Sequence, residues 1–290
     1  MTASVLYDEL GPRGRRKVRV ATAVSFVLLL LLVWVVLNRL ADKGQLEGRR
    51  WENLLRGDLQ SFLLKGLWAN VKAAAVAMAL ALTLGTVLAL ARLSRLRVLR
   101  WASGLFIETF RALPQLLLIL GAALVLPRYG FELPAIVYVV VGLTVYQGAV
   151  LAEIFRAGIL SLDRGQSEAA YAVGLTYRQM MFLVVVPQAV RRMLPAIVSQ
   201  LVTLFKDTSL GFVIAYEEML RRGRFASQEF PESLLQILLY VALVFIVINI
   251  SLSRFAQWLE RRQASRYGGG AGAAKVTGVE DLAVLDAKPA

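Results

Sequence analysis

The sequence predicts an all-α membrane protein with six transmembrane helices, on three observations. Of its 290 residues 58% are hydrophobic, and the mean hydropathy of +0.61 is far above that of a soluble domain. Six apolar runs are long enough to cross a hydrocarbon core ~30 Å thick, which takes about 20 helical residues. No stretch carries a strand pattern of weight, and no internal repeat is visible.

In chain order, residues 1–19 form a basic stretch containing Arg13, Arg15, Arg16, Lys17 and Arg19. The first span, 20–38, reads as a retained anchor rather than a cleaved signal. Its apolar core is long for a signal peptide, and Asn38-Arg39-Leu40-Ala41 is a poor cleavage site. A charged segment, 39–65, leads to the second span at 67–91, whose Ala73 to Ala81, Gly85 and Ala89 permit close helix packing. The third span, 105–126, contains Pro114-Gln115, which breaks or bends it and frees backbone groups tolerated only against protein or a cavity. The fourth span is 134–155 and the sixth 234–253. Between them, the fifth (195–215) is the least apolar, because it carries Lys206 and Asp207. Residues 255–290 form a tail that from Gly268 onward has a flexible composition.

Six spans place both ends on one side, and charge chooses the side. Segments on the N-terminal side hold 20 Lys and Arg against 10 on the other, which predicts cytoplasmic termini and a cytoplasmic loop over about 157–193. The net charge of +13 suggests nucleic acid in a soluble protein. Here the basic residues fall between apolar runs, so membrane orientation explains them and no nucleic-acid partner is expected.

That loop has the chemistry of a helix-turn-helix. Ser167 suits an N-cap, Glu168 places a negative charge at the positive helix end, and Ala169, Ala170 and Ala172 are strong helix formers of little bulk. Gly174 suits a left-handed residue ending the first helix. Thr176 and Gln179 fit a capping box opening a second, which Pro187 breaks or kinks. Local pattern alone fits equally well a surface hairpin packed on its own bundle.

Ionisable residues within spans cost about 2.5–3.5 kcal/mol each on insertion scales, so each needs a partner or a task. Glu108 and Arg111, and Glu153 and Arg156, form two Glu-x-x-Arg pairs at one depth on antiparallel spans. Cross-pairing (Glu108 with Arg156, Glu153 with Arg111) would pin the helices beside the loop; two independent pairs fit equally. Lys206-Asp207-Thr208-Ser209 begins about eleven residues into the fifth span, roughly 16 Å along a helix and near the midplane. Asp207 reads as half of a structural ion pair. Lys206, Thr208 and Ser209, with Thr144, Tyr146 and Gln147 of the fourth span, form a candidate polar passage.

Other classes fare worse. With no Cys and no His, disulfides, thiolate zinc sites, Cys or His nucleophiles and imidazole acid–base chemistry are excluded, and no metal or cofactor is expected. A two-aspartate intramembrane site fails because Asp207 is the only Asp at depth. No Gly-x-x-x-x-Gly-Lys-[Ser/Thr] occurs, so the chain has no P-loop of its own. A secondary amino-acid transporter would need an ion-coupling site and usually repeated halves, and neither is visible. A membrane scaffold stays open on composition alone.

From Gly66 to Arg254 the chain resembles the membrane subunit of polar-amino-acid ABC importers, the group taking up histidine, glutamine, glutamate and arginine. The resemblance rests on Gly66-Leu67-Trp68, Ala91-Arg92-Leu93-Ser94, Glu108-Thr109-Phe110-Arg111-Ala112-Leu113-Pro114, Ala152-Glu153-Ile154-Phe155-Arg156-Ala157-Gly158-Ile159, Asp163 to Ala170, and Lys206-Asp207-Thr208-Ser209-Leu210. Glu168-Ala169-Ala170, three residues, Gly174, nine residues, then Val184-x-Val186-Pro187 is similar to the spacing of the family's ATPase-docking loop. The resemblance implies a five-helix permease core over 66–254, with 20–38 an extra N-terminal span. It also implies a second permease (homologous or identical), an ATP-binding subunit pair that hydrolyses the ATP, and an extracytoplasmic amino-acid-binding protein. The expected setting is the bilayer of a bacterial inner (cytoplasmic) membrane. The extra span and basic N-terminus look most like actinobacterial glutamate permeases, which makes glutamate the expected cargo; glutamine or a basic amino acid is the alternative.

Overall fold

The structure, a computed structural model, describes residues 11–267; the first ten residues and the expected flexible stretch from Gly268 lie outside the described part. All regular structure among the described residues is helical. Eleven α-helices occur: α1 Pro12–Asp42, α2 Gly48–Glu52, α3 Gly57–Arg92, α4 Arg97–Ala112, α5 Gln115–Val125, α6 Ala135–Leu160, α7 Arg164–Ala172, α8 Tyr177–Met180, α9 Val186–Asp207, α10 Met219–Glu229 and α11 Leu234–Tyr267. Five stretches are long and apolar enough to span a membrane, and α4 with α5 makes a sixth only if that bent pair counts as one span.

The predicted first span is realised as α1, which stands off the bundle with its apolar window wholly exposed. The bundle itself is built on α3 against α6. Small residues let the two approach: a Cβ on Gly85 would meet Leu151 and the carbonyl of Gly148, and one on Gly148 would meet Leu84. Ala73, Ala77 and Ala81 are fully buried on the same side of α3. Around them Ile119 of α5, Val139, Leu143 and Leu151 of α6, and Leu204 of α9 complete the core. Close backbone approach of this kind is what packs helices in lipid, where apolar burial gives little drive between them.

The third span bends where Pro114-Gln115 predicts, whereas the start of the fifth needs correction. Helices α4 and α5 meet at 102° around Leu113-Pro114, because Pro114 has no N–H to continue the ladder and holds the preceding residue extended. The fifth does not begin near 195, and Pro187 does not break it. Its helix starts at Tyr177 and continues through a π turn, Met181–Val185, which ends directly before Val186-Pro187 and accommodates the missing donor.

Hydrogen bonds sort the connecting segments into two groups. At one end Arg50 Nη1 donates to the carbonyl of Glu232 (3.1 Å), Asn53 Nδ2 to Ser233 Oγ (2.9 Å), and Gln236 Nε2 to the carbonyl of Gln45 (2.6 Å). At the other, Arg92 Nη2 donates to Glu108 (2.8 Å) and Arg192 Nη1 to the carbonyl of Ser161 (2.8 Å). Arg95 over the Tyr177 ring joins the 92–104 and 156–193 segments, which the charge count also puts on one side, as it puts 39–66 with 216–233.

Candidate functional site

The loop between α6 and α9 is a closed hairpin. The N-cap of α7 is Asp163 rather than Ser167: Asp163 Oδ1 accepts from the N–H of Gly165 at 2.8 Å, one turn earlier than the sequence suggested. Helix α7 ends as expected at Gly174, whose φ of +81° is left-handed. The N–H of Leu175 donates to the carbonyl of Ala170 (3.1 Å) and that of Gly174 to the carbonyl of Tyr171 (3.0 Å), a Schellman motif. The capping box forms too. Thr176 N–H donates to Gln179 Oε1 (2.9 Å) and Gln179 N–H to Thr176 Oγ1 (3.4 Å), opening α8.

The two alanines after Glu168 do different things. Ala170 is buried against Met180 and Val185, with Ile159, Leu162 and Leu175 around them, so it closes the hairpin. Glu168, Ala169, Ala172 and Val173 face outward. The hairpin is mounted on the bundle by Arg192, by a Gln188–Gln166 side-chain hydrogen bond (3.1 Å), and by Arg95 of the α3–α4 turn, whose guanidinium lies 5.6 Å from the Tyr177 ring centroid. Its outer face combines the small Ala169 and Ala172 with the exposed Glu168, Tyr171 and Val173.

Beside it the ion pairs differ from the proposed cross-pairing. Arg156 holds its own helix neighbour Glu153, with Nε 3.1 and 3.0 Å from the two carboxylate oxygens. Glu108 is held by Arg92, not by Arg111 or Arg156. The bend at Pro114 sets α4 against the end of α3 as well as against α6, and Glu108 meets Arg92 there. Arg111 instead lines, with Glu108, Tyr146, Gln200 and Thr203, a cleft of about 470 Å³ between α4, α6 and α9.

Of the six passage candidates only Tyr146 lines that cleft. Gln147 is fully buried, and both atoms of its amide lack a hydrogen-bond partner among the described residues; the Thr144 hydroxyl and Gln115 Nε2 lack one too. Thr208 is fully buried and bound to Asn70 and to the carbonyl of Phe205, so it forms no part of a passage wall in this conformation. Ser209 Oγ donates to the carbonyl of Lys206 (2.8 Å). Lys206 is exposed in the last turn of α9, and no salt bridge joins it to Asp207.

Residues 81–265 match the family of binding-protein-dependent transport system inner membrane components. The chain belongs to that family. It is therefore a membrane-spanning permease subunit of an amino-acid ABC importer, and an inner membrane protein. It is 42% identical over 227 residues to the glutamate transport system permease protein of Corynebacterium glutamicum, covering 77% of this chain and 83% of that one. It is 37% identical over 205 residues to a probable glutamine ABC transporter permease of Bacillus subtilis (70% and 94% covered). The permease also superposes on the crystal structure of an amino acid ABC transporter with histidines, with a TM-score of 0.66 and 27% identity over 70% of this chain and 94% of the other.

A polar knot that no sequence motif announces lies at the opposite end of the permease. Asn70, fully buried in the alanine-rich α3, donates from Nδ2 to Thr208 Oγ1 (2.8 Å) and to Glu218 Oε2 (3.3 Å), and accepts from the N–H of Met219 (3.1 Å). Glu218, also fully buried, caps α10 by accepting from Leu220 N–H (2.9 Å) and Arg221 N–H (2.7 Å). Asn70 was legible as the lone amide in an alanine-rich span. Gln200 and Thr203 were not, because nothing local distinguishes them from any polar residue near a helix end.

Proposed function

We propose that this permease carries a polar amino acid, glutamate first, and that it takes its drive from a separate ATPase seated on the α7–α8 hairpin. The observation that supports the cargo is the 42% identity to a glutamate permease over most of both chains. The coupling reading rests on the hairpin: Glu168 and Ala169 lie on an exposed face, while Ala170, the Schellman turn and the capping box hold that face rigid. Charge orientation puts this end of the bundle, and both termini, in the cytoplasm. The working assembly is this chain with a second permease, homologous or identical, a pair of ATP-binding subunits that hydrolyse the ATP, and an extracytoplasmic amino-acid-binding protein.

The candidate passage is the cleft bearing Arg111 and Tyr146, with the exposed Lys206 farther along α9. The test is ATP-dependent uptake of labelled glutamate by the assembled transporter in vesicles, with glutamine, aspartate and arginine as competitors. Preferential displacement of label by unlabelled glutamate is the expected result. Displacement by glutamine at lower concentration would move the assignment to the second relative's cargo.

A further inference from the structure

A second cleft, of about 570 Å³, opens where the end of α3 meets α4. Four arginines line it: Arg92, Arg97, Arg100 and Arg156. Arg92 is held by Glu108 and Arg156 by Glu153. Arg97 and Arg100 have no acidic partner among the described residues, so the cleft carries uncompensated positive charge. Its remaining wall includes Trp101 and Leu105, which are 70% and 53% exposed.

The setting of α4 explains why charge and apolar surface coincide. It turns 102° from α5, so it lies close to the membrane plane when α5 runs across the membrane. Ser103, Gly104 and Ile107 face the bundle, while Val98, Leu99, Trp101 and Leu105 are left exposed beside Arg97 and Arg100. A helix lying in the membrane plane with Trp and Leu exposed beside Arg belongs at the boundary between headgroups and acyl chains, its apolar side chains reaching the acyl region and its guanidinium groups the headgroups. Trp favours the same depth.

We propose that this cleft binds the headgroup of an anionic phospholipid. Arg97 and Arg100 take the phosphate, and Trp101 and Leu105 lie against its acyl chains. A free phosphate would use only the charged rim and leave the apolar wall bare. Charge complementarity commits the site to an anionic rather than a zwitterionic lipid, because two guanidinium groups have no other counter-charge. The inference is independent of the cargo and of the hairpin's role.

Native mass spectrometry of the full chain in neutral detergent, titrated with phosphatidylglycerol or phosphatidylcholine, tests it. The expected result is a phosphatidylglycerol adduct bound in preference to phosphatidylcholine and not displaced by inorganic phosphate. The double variant Arg97→Gln, Arg100→Gln weakens it about thirtyfold, at ~1 kcal/mol for each basic residue near an anionic surface. Trp101→Ala weakens it while leaving the charges in place, and Arg128→Gln, on an exposed arginine elsewhere, leaves it unchanged. Unaltered phosphatidylglycerol binding by the double variant, equal binding of phosphatidylcholine, or displacement by inorganic phosphate would each overturn the proposal. Release of the lipid on adding the ATPase would also overturn it, by showing the cleft to be a protein interface.

Discussion

Asn70 and Glu218, 148 residues apart in the chain, are joined by a 3.3 Å hydrogen bond from Asn70 Nδ2 to Glu218 Oε2, and both side chains are fully buried. The same amide holds Thr208 and the N–H of Met219, so one side chain of α3 ties together the end of α9 and the start of α10. Tyr216 adds a hydrogen bond from its hydroxyl to the carbonyl of Ala69 at 2.8 Å.

Asn70→Ala leaves the buried Met219 N–H without its acceptor and takes one partner each from Thr208 and Glu218. Leaving a buried donor or acceptor unsatisfied costs about 1–3 kcal/mol. The variant is expected to lower the thermal midpoint of the detergent-solubilised permease and to expose the 215–230 segment to protease. Wild-type values in both measurements would remove the amide as the tie.

Glu218 gives the knot a pH dependence. Burial pushes its carboxyl above the ordinary value of 4.5, against the N–H groups of Leu220 and Arg221, the Asn70 amide and the Arg221 charge, which pull it down. Tyr216 beside it is pushed up to about 12, first by burial and then by Glu218, and stays neutral in this range. A group that binds its proton more tightly in the folded state lends stability that is fully present below the unfolded value and is lost as pH rises through the folded one. Stability should therefore fall as pH climbs above about 4.5. Glu218→Gln should flatten that slope in thermal melts, and an identical slope in the variant would place its origin elsewhere.

How far the sequence foretold the structure depended on whether the signal was local. The left-handed Gly174 and the Thr176–Gln179 box were readable because a turn and a cap are set by residues within one helical turn of each other. The N-cap is less legible, because Asp163 and Ser167 are both good cap residues one turn apart and α7 starts from Asp163. Glu108 was given the wrong partner for a geometric reason: spacing along a helix does not reveal that Pro114 swings the helix by 102°. Thr208 looks available as a passage residue beside Lys206 in the sequence, whereas in the fold Asn70, 138 positions away, holds its hydroxyl.

The hairpin separates two kinds of alanine. Ala169→Leu enlarges an exposed residue and should leave the fold intact while reducing ATPase capture, as should Glu168→Lys. Ala170→Leu must force apart the packing on Met180 and Val185, so it should destabilise the hairpin itself. Gly174→Val places a β-branched residue at a φ of +81°, at about 1–2 kcal/mol or more for the left-handed conformation. Pull-down of the ATPase with uptake and limited proteolysis distinguishes lost docking from lost fold. Normal capture and uptake by Ala169→Leu and Glu168→Lys would make the loop an ordinary surface hairpin.

Sidedness can be read with single cysteines, because the chain has none of its own. Gly44 is a poor site: its φ is +64° and a Cβ there would meet the Glu47 carboxylate. Ala172→Cys and Gln228→Cys are exposed at opposite ends of the bundle and suit the purpose. In intact cells an impermeant maleimide should label the second and spare the first. The reverse pattern would invert the orientation and, with it, the docking assignment.

Lys206 is where the structure sharpens the choice between a substrate contact and a structural charge. If it neutralised Asp207 in the fold, Lys206→Met would leave a buried carboxylate unpaired and the protein would assemble poorly, at about 3–5 kcal/mol. In this chain Lys206 is exposed and forms no salt bridge with Asp207, as expected for adjacent helical residues that point about 100° apart. Lys206→Met is therefore expected to insert and assemble normally. If the ammonium meets the cargo's carboxylate, uptake should fall roughly tenfold or more, the worth of one hydrogen bond to a charged group at about 1.5–3 kcal/mol. Lys206→Arg should keep part of that activity, because it preserves the charge but not the compact ammonium. Asp207→Asn, whose carboxylate is half-buried on a different face, should by contrast act mainly on assembly. Full uptake by Lys206→Met at normal expression would take Lys206 out of the passage and leave Arg111 as the cationic residue that lines the cleft beside Tyr146.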